Sequence, residues 1–220
     1  MIFDLFDTLV PFSERMWDDL ADEMARLLLP SEPERFVRAW GERTAARMTG
    51  ELEAVIREVC ATLTPATPAT PGPAIAAALR LNRARHAAWL AQPRPDAPAV
   101  LAALRRRGIR TGLISNCSSS VPGSWPASPL GALIDVAVFS SAEGVEKPDP
   151  RIYTRTLERL GLAAAECVYV DDSARALDGA VAVGLHAIQF LPPGVPAGSW
   201  TGPTVTSLTR VLDLAQGFHV

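Results

Sequence analysis

The sequence predicts an α/β fold, a doubly wound parallel sheet with an all-helical module inserted after its first strand. Three observations predict it. Short apolar runs rich in β-branched and aromatic residues end in polar clusters, the pattern of buried parallel strands. Segments with apolar residues at helical spacing lie between these runs, and such alternation gives a sheet with right-handed crossovers. After the first run, however, residues 12–94 carry no strand signal at all.

The elements follow in chain order. "MIFD" (1–4) is the first strand. "SERMWDDLADEMARLLL" (13–29) is a helix with a serine N-cap, and Met16, Trp17, Leu20, Met24 and Leu27 share one face. "SEPERFVRAWGERTAARM" (31–48) opens on a capping box, Ser31 with Glu34, and carries Pro33 in its first turn. "ELEAVIREVCATL" (51–63) and "AIAAALRLNRARHAAWLAQ" (74–92) complete four helices. The Pro/Thr tract 64–73 between the last two is an extended linker, because proline cannot continue a helix. "PRPDAP" (93–98) returns the chain to the sheet. Further strands are expected at 109–116, 135–140, 167–172 and 185–190, with helices at 98–108, 150–161 and 173–184. Each of these helices closes on a glycine suited to the left-handed C-cap conformation. Residues 192–203 read as loop and 207–216 as a closing helix. The domains are then 1–11 with 95–220, and the helical 12–94.

Bulk properties exclude several function classes. Of the 220 residues, 48% are hydrophobic and 20% charged, with a net charge of -3. That balance argues against a nucleic-acid partner, and no basic amphipathic helix points to a membrane surface. No apolar run reaches membrane-spanning length, and the N-terminus lacks a secretory signal. Cys60, Cys117 and Cys167 are odd in number and widely spaced, as are His86, His186 and His219. The cysteines read as reduced thiols rather than a disulfide frame or zinc site. A cytoplasmic protein is expected, a monomer or homodimer acting on a small molecule.

The chemistry collects at the strand ends, where open α/β sheets bind ligands. Asp4, Asp7 and Thr8 follow the first strand, and Ser115 and Asn116 the second. Lys147 lies past the third, and Asp171, Asp172 and Ser173 past the fourth. Several carboxylates in one crevice repel one another, and a hard oxygen-seeking cation such as Mg²⁺ would compensate them. A cation, a lysine and a hydroxyl around a free carboxylate suit a phosphoryl group, whose charge is spread over its oxygens.

"FDLFDTL", "LISN", "EKPDP" and "VYVDDS" resemble, in order and at fitting separations, the four motifs of the haloacid dehalogenase-like (HAD) superfamily. The helical insertion is similar to that superfamily's C1-type cap. The resemblance implies a strand order of 5-4-1-2-3 and usually Mg²⁺. It makes Asp4 the nucleophile that forms an aspartyl-phosphate. The metal ligands it implies are Asp4, the main-chain oxygen of Phe6, and Asp172, with Asp171 as a further ligand or outer partner. Thr8 and Ser115 would position phosphoryl oxygens, Lys147 would neutralise charge, and Asn116 would contact substrate or cap its loop.

Two positions depart from that pattern. Phe6 stands where phosphatases of the family carry an acid/base aspartate, and Ala176 replaces a common carboxylate. Phe6 cannot protonate a leaving group, a service worth about 10²–10⁴-fold. Asp7 is one residue late and reads as a turn residue. Three functions are therefore expected in order: a Mg²⁺-dependent phosphatase favouring good leaving groups, a 2-haloacid dehalogenase, and a weakly active or inactive binding protein. Trp17 reads as helix packing, Phe12 and Trp125 as candidate pocket residues, and His86 as a helix-surface or packing residue. Arg35, Arg38 and Arg43 read as a solvated helix face.

Overall fold

A computed structural model of the chain describes residues 1–63, 72–196 and 198–214. Strand β1 (Ile2–Phe3) leads into five helices: α1 (Glu14–Leu28), α2 (Pro33–Gly41), α3 (Thr44–Thr49), α4 (Leu52–Leu63) and α5 (Gly72–Leu90). The sheet then resumes with α6 (Ala97–Arg106), β2 (Gly112–Ser115), α7 (Ser120–Ser124), β3 (Val136–Phe139), α8 (Ser140–Glu143) and α9 (Pro150–Leu160). It closes with β4 (Val168–Asp171), α10 (Ala174–Ala182), β5 (His186–Phe190), β6 (Thr204–Val205) and α11 (Thr209–Leu214). No described helix is long and apolar enough to cross a membrane.

The sheet order is β3-β2-β1-β4-β5-β6, and every pairing is parallel. It contains the expected 5-4-1-2-3 arrangement and adds a sixth strand on the β5 edge. That strand has only two residues, too few for an alternation to register in the sequence. Side-chain alternation divides the core between the two faces. Phe3, Leu113, Val168 and Val170 pack with α6 and α11, while Ile2, Ile114 and Tyr169 pack with α9 and α10. Helices α1, α2, α4 and α5 bury a third apolar cluster of their own, centred on Met24, Phe36 and Ile56.

The helix termini bear out much of the sequence reading. Ser13 caps α1 by accepting from the Met16 amide. Gly108, Gly161 and Gly184 adopt positive φ of 73°, 63° and 90° beyond α6, α9 and α10. The single helix expected over 31–48 is instead two. Proline's fixed φ and missing N–H suit a first helical position, so α2 starts at Pro33 with Glu32 as its cap. Ser31 then falls outside, and the expected capping box does not form. Gly41, a poor helix former, ends α2. Of the linker expected at 64–73, Gly72 and Pro73 instead begin α5, and residues 64–71 lie outside the described residues. The last two residues of the expected closing helix lie outside them as well.

One close approach fixes α10 against the loop carrying Lys147. A Cβ at Gly179 would stand 2.7 Å from Pro148 Cβ and 2.9 Å from both Pro148 O and Tyr153 Oη. Gly179→Ala should therefore lower stability by about 1–3 kcal/mol in urea unfolding. Gly123→Ala, whose Cβ would meet nothing within 4 Å, should shift the midpoint little or upward.

Candidate active site

The site begins with a strand too short to carry it alone. The Asp4 amide donates to Val170 O at 2.8 Å, so β4 holds Asp4 in line with β1. The chain then turns tightly. Leu9 and Val10 amides both donate to Leu5 O at 2.8 Å, and the Asp7 amide donates to Val10 O at 2.8 Å. Asp7 sits at φ 64°, a left-handed conformation that aspartate tolerates better than most residues. Its Oδ1 accepts from the Phe12 amide at 3.1 Å. Arg94 braces the turn from outside, donating to Asp7 O at 2.8 Å and Thr8 O at 3.0 Å. Asp7 is thus the hinge of the turn, as its position one residue late suggested.

Lys147 joins the strand ends. Its Nζ donates to Asp4 Oδ1 at 2.5 Å, Asp171 Oδ2 at 2.7 Å and Tyr169 Oη at 2.9 Å, and all four side chains are buried. Tyr169 also donates to Asp171 Oδ2, and the Ser173 amide donates to Asp171 Oδ1 at 2.7 Å. Asn116 ties the lysine's backbone to the end of β2. Its Nδ2 donates to Lys147 O at 3.0 Å, and its Oδ1 accepts from the Lys147 amide at 2.8 Å.

Several groups are left open. Asp4 Oδ2, Thr8 Oγ1 and Ser115 Oγ are buried without a hydrogen-bond partner. Buried polar atoms are ordinarily satisfied, and of these three residues Asp4 lines the strand-end crevice, so its free oxygen is open to a ligand there. Carboxylate oxygens of Asp4, Asp171 and Asp172 lie within 4.8 Å of one another, close enough to share a cation. Asp171 already spends both oxygens on protein donors, whereas Asp4 keeps one free. The crevice also takes in Phe6, Asn116, Ser173 and Arg175, with a volume of about 260 Å³.

Burial sets the electrostatics. It pushes the Asp4 carboxyl well above the usual range, against the pull of Lys147 and with the push of Asp171 and Asp172. Burial, aided by Asp171 and Asp7, raises Asp172 from 3.8 to about 7. Burial disfavours the Lys147 ammonium, but the carboxylates of Asp171 and Asp4 outweigh it and hold its pKa above the usual lysine value.

A second cavity of about 320 Å³ adjoins the crevice, and Phe6 and Asn116 line both. Phe12, Trp17 and His86 supply its other walls. Trp17 therefore forms pocket wall rather than core packing, His86 packs against Trp89 and Trp17 as well as lining the cavity, and Trp125 packs in the sheet core. Burial lowers the His86 pKa to about 4. Cys117 also lines this cavity, and burial pushes its thiol up to about 12, which keeps it unreactive.

Three residues were missed at the sequence level. Tyr169 was findable, since residues two apart on a strand share a face and Asp171 was already marked. Arg175 carried no signal; it sits on the exposed first turn of α10. Arg47 was hidden by the reading of one long helix. It is buried between the rings of Trp17 and Trp40, 4.8 and 4.6 Å from their centroids. Its Nη2 donates to Thr44 Oγ1 at 2.7 Å, and Nε and Nη1 have no partner.

The chain matches the haloacid dehalogenase-like hydrolase family over residues 1–184. Phosphatase MT3486 of Mycobacterium tuberculosis is 37% identical over 99 residues, 44% of this chain and 46% of that protein. (S)-2-haloacid dehalogenase 1 of a Pseudomonas species is 28% identical over 123 residues, 56% of this chain and 54% of that protein. The chain spans about half the length of these curated relatives. A HAD phosphatase from Thermococcus onnurineus shares the fold with a TM-score of 0.72 at 18% identity, covering 100% of this chain and 98% of that one.

Lys147→Met should cost about 3–5 kcal/mol in metal-free chemical unfolding, because Asp4 and Asp171 are left buried without their cation. The carboxylates also set a pH dependence. An acid whose pKa rises on folding holds its proton more tightly in the native chain. Its stabilisation is complete below the unfolded value near 3.8 and is lost as pH climbs through about 7. Metal-free protein should lose on the order of 2 kcal/mol from Asp172 between those limits, discounted for its partial exposure. Millimolar Mg²⁺ should flatten this slope in thermal melts across the same range.

Proposed function

The chain belongs to the haloacid dehalogenase-like hydrolases, and from that premise we propose that it is a Mg²⁺-dependent phosphatase acting on a small phosphorylated metabolite. The observation that carries this reading is the free, buried Asp4 Oδ2 among three carboxylates and a single ammonium. An all-oxygen donor set with an unsatisfied carboxylate oxygen fits a hard divalent cation. Asp4, Asp172 and the Phe6 carbonyl would hold it; that carbonyl is not used by the hydrogen bonds closing the turn. Asp171, with both oxygens engaged, serves as the outer partner that anchors Lys147. Bound Mg²⁺ supplies positive charge to the carboxylates and the phosphoryl oxygens.

The chain's own residues do the rest. Asp4 attacks phosphorus through Oδ1, while Oδ2 would be the oxygen that holds the metal; an aspartyl-phosphate forms, the leaving group is expelled, and water then hydrolyses that intermediate. Lys147 orients Asp4 through Oδ1, and its charge opposes the rise that burial imposes on the carboxyl. Thr8 and Ser115 donate their free hydroxyls to phosphoryl oxygens, which satisfies two buried orphans. Asn116 fixes the lysine and borders the bound substrate. Residues 12–94 act as the cap over a core of 1–11 and 95–220, and the cap supplies Phe12, Trp17 and His86 to the cavity.

Phe6 shapes the specificity of the reaction. Without a proton donor there, leaving groups that depart as stable anions are favoured, such as acyl and aryl phosphates. A second reading, 2-haloacid dehalogenase, is favoured by two observations: halide departure needs no proton, and Arg47 is a cap cation without an anionic partner among the described residues. Against it stand Asp171 and Asp172, which would repel a haloacid carboxylate.

A phosphatase screen with and without Mg²⁺, using Asp4→Asn as blank, decides between them. Turnover of aryl phosphates that vanishes with EDTA is expected. Chloride release from 2-chloropropionate that survives EDTA would establish the second reading instead. Phe6→Asp should raise alkyl-phosphate turnover at least tenfold; no increase would sink the missing-acid account.

A further inference from the structure

The cavity next to the carboxylate crevice has a composition of its own. Aromatic rings dominate it: Phe6 lies 5.0 Å from Phe12, Phe12 lies 6.1 Å from Trp17, and Trp17 lies 6.2 Å from His86, centroid to centroid. Trp89 backs them, 5.1 Å from Phe12 and 4.8 Å from His86. Among the described residues, no lysine or arginine lines the cavity, while Asp7 and Glu14 in its lining disfavour an anionic group. Ring walls of this kind suit a flat apolar group.

One wall residue carries directional information. His86 is 2% exposed, yet it borders the cavity. Its Nδ1 lies 2.8 Å from Asn82 O, one turn earlier on α5. A carbonyl oxygen can only accept, so Nδ1 bears the hydrogen. On the neutral ring Nε2 is then an acceptor, and no hydrogen bond to it is found among the described residues. An acceptor on a residue that lines an aromatic cavity favours a ligand that brings a donor.

We infer that this cavity holds the leaving group of the substrate, a neutral planar aromatic ring bearing an N–H or O–H that donates to His86 Nε2. This deepens the phosphatase reading and rests on it for the reaction. The position follows from Phe6 and Asn116, which line both spaces, so a phosphoryl group at Asp4 continues into the cavity past the Phe6 ring. His86 acts here as a specificity residue and takes no part in proton transfer to the reacting oxygen.

The test separates binding from chemistry. Titration calorimetry on the full chain compares indole with benzofuran, the same bicyclic shape with the N–H replaced by oxygen. Wild type should bind indole about tenfold more tightly, His86→Phe should bind both alike, and His86→Gln should restore part of the preference. Kinetics then compare 3-indolyl phosphate with 1-naphthyl phosphate. His86→Phe should raise KM for the first about tenfold more than for the second, with kcat within about twofold for both. Equal affinity of wild type for indole and benzofuran overturns the inference, as does a His86→Phe variant, folded by circular dichroism, that keeps the preference. An indole preference in a wild type that cleaves no phosphate overturns the phosphatase reading alone and leaves the cavity assignment standing.

Discussion

The ammonium of Lys147, buried between two carboxylates, is the interaction on which the rest of the site depends. Taking an ion out of water costs several kcal/mol, and that cost is met here only by close partners on every side. Asp4 and Asp171 supply charge, and Tyr169 supplies a dipole. Asp4 and Asp171 come from the ends of the central strands β1 and β4, and Tyr169 from within β4 two residues before Asp171. The parallel order of β1 and β4 is therefore an electrostatic requirement as well as a packing one: it brings Asp4 and Asp171 to the same edge. One ammonium among three carboxylates still leaves an excess of negative charge. That excess, together with the free oxygen of Asp4, is what makes the crevice receptive to a cation.

Much of this was legible in the sequence because parallel strands announce themselves. They are apolar throughout and stop abruptly at polar residues, so the strand ends could be read as site positions before any coordinates. Asp4, Lys147, Asp171 and Asp172 all came from that rule, and the structure sets their side chains together. What the sequence concealed had physical causes. A two-residue strand such as β6 is shorter than any alternation that could betray it. The break after Gly41 lay inside an otherwise regular helical pattern, and with it went the inward turn of Arg47. Helical periodicity marked one face of α1 as buried. It could not separate the part of that face that packs from the part, at Trp17, that borders empty space.

Phe6 links the two halves of the molecule. Its backbone belongs to the turn after Asp4, and its ring belongs to the aromatic cavity formed with the helical insertion. The side chain that removes the acid is thus the one that extends the apolar wall to the reacting centre. A carboxylate at this position would place a charge at the mouth of a cavity that contains no cation. Loss of the proton donor and gain of an aromatic pocket are two results of one residue.

Asn116 imposes a different kind of limit. Both ends of its amide are committed to the backbone of Lys147, yet its side chain also borders the two cavities. Any replacement that reshapes the pocket from this side shifts the ammonium that holds Asp4. Reshaping the cavity without moving that ammonium is consequently left to the other wall. Phe12, Trp17 and His86 form no hydrogen bond to Lys147, whereas Asn116 is bound to it through both ends of its amide.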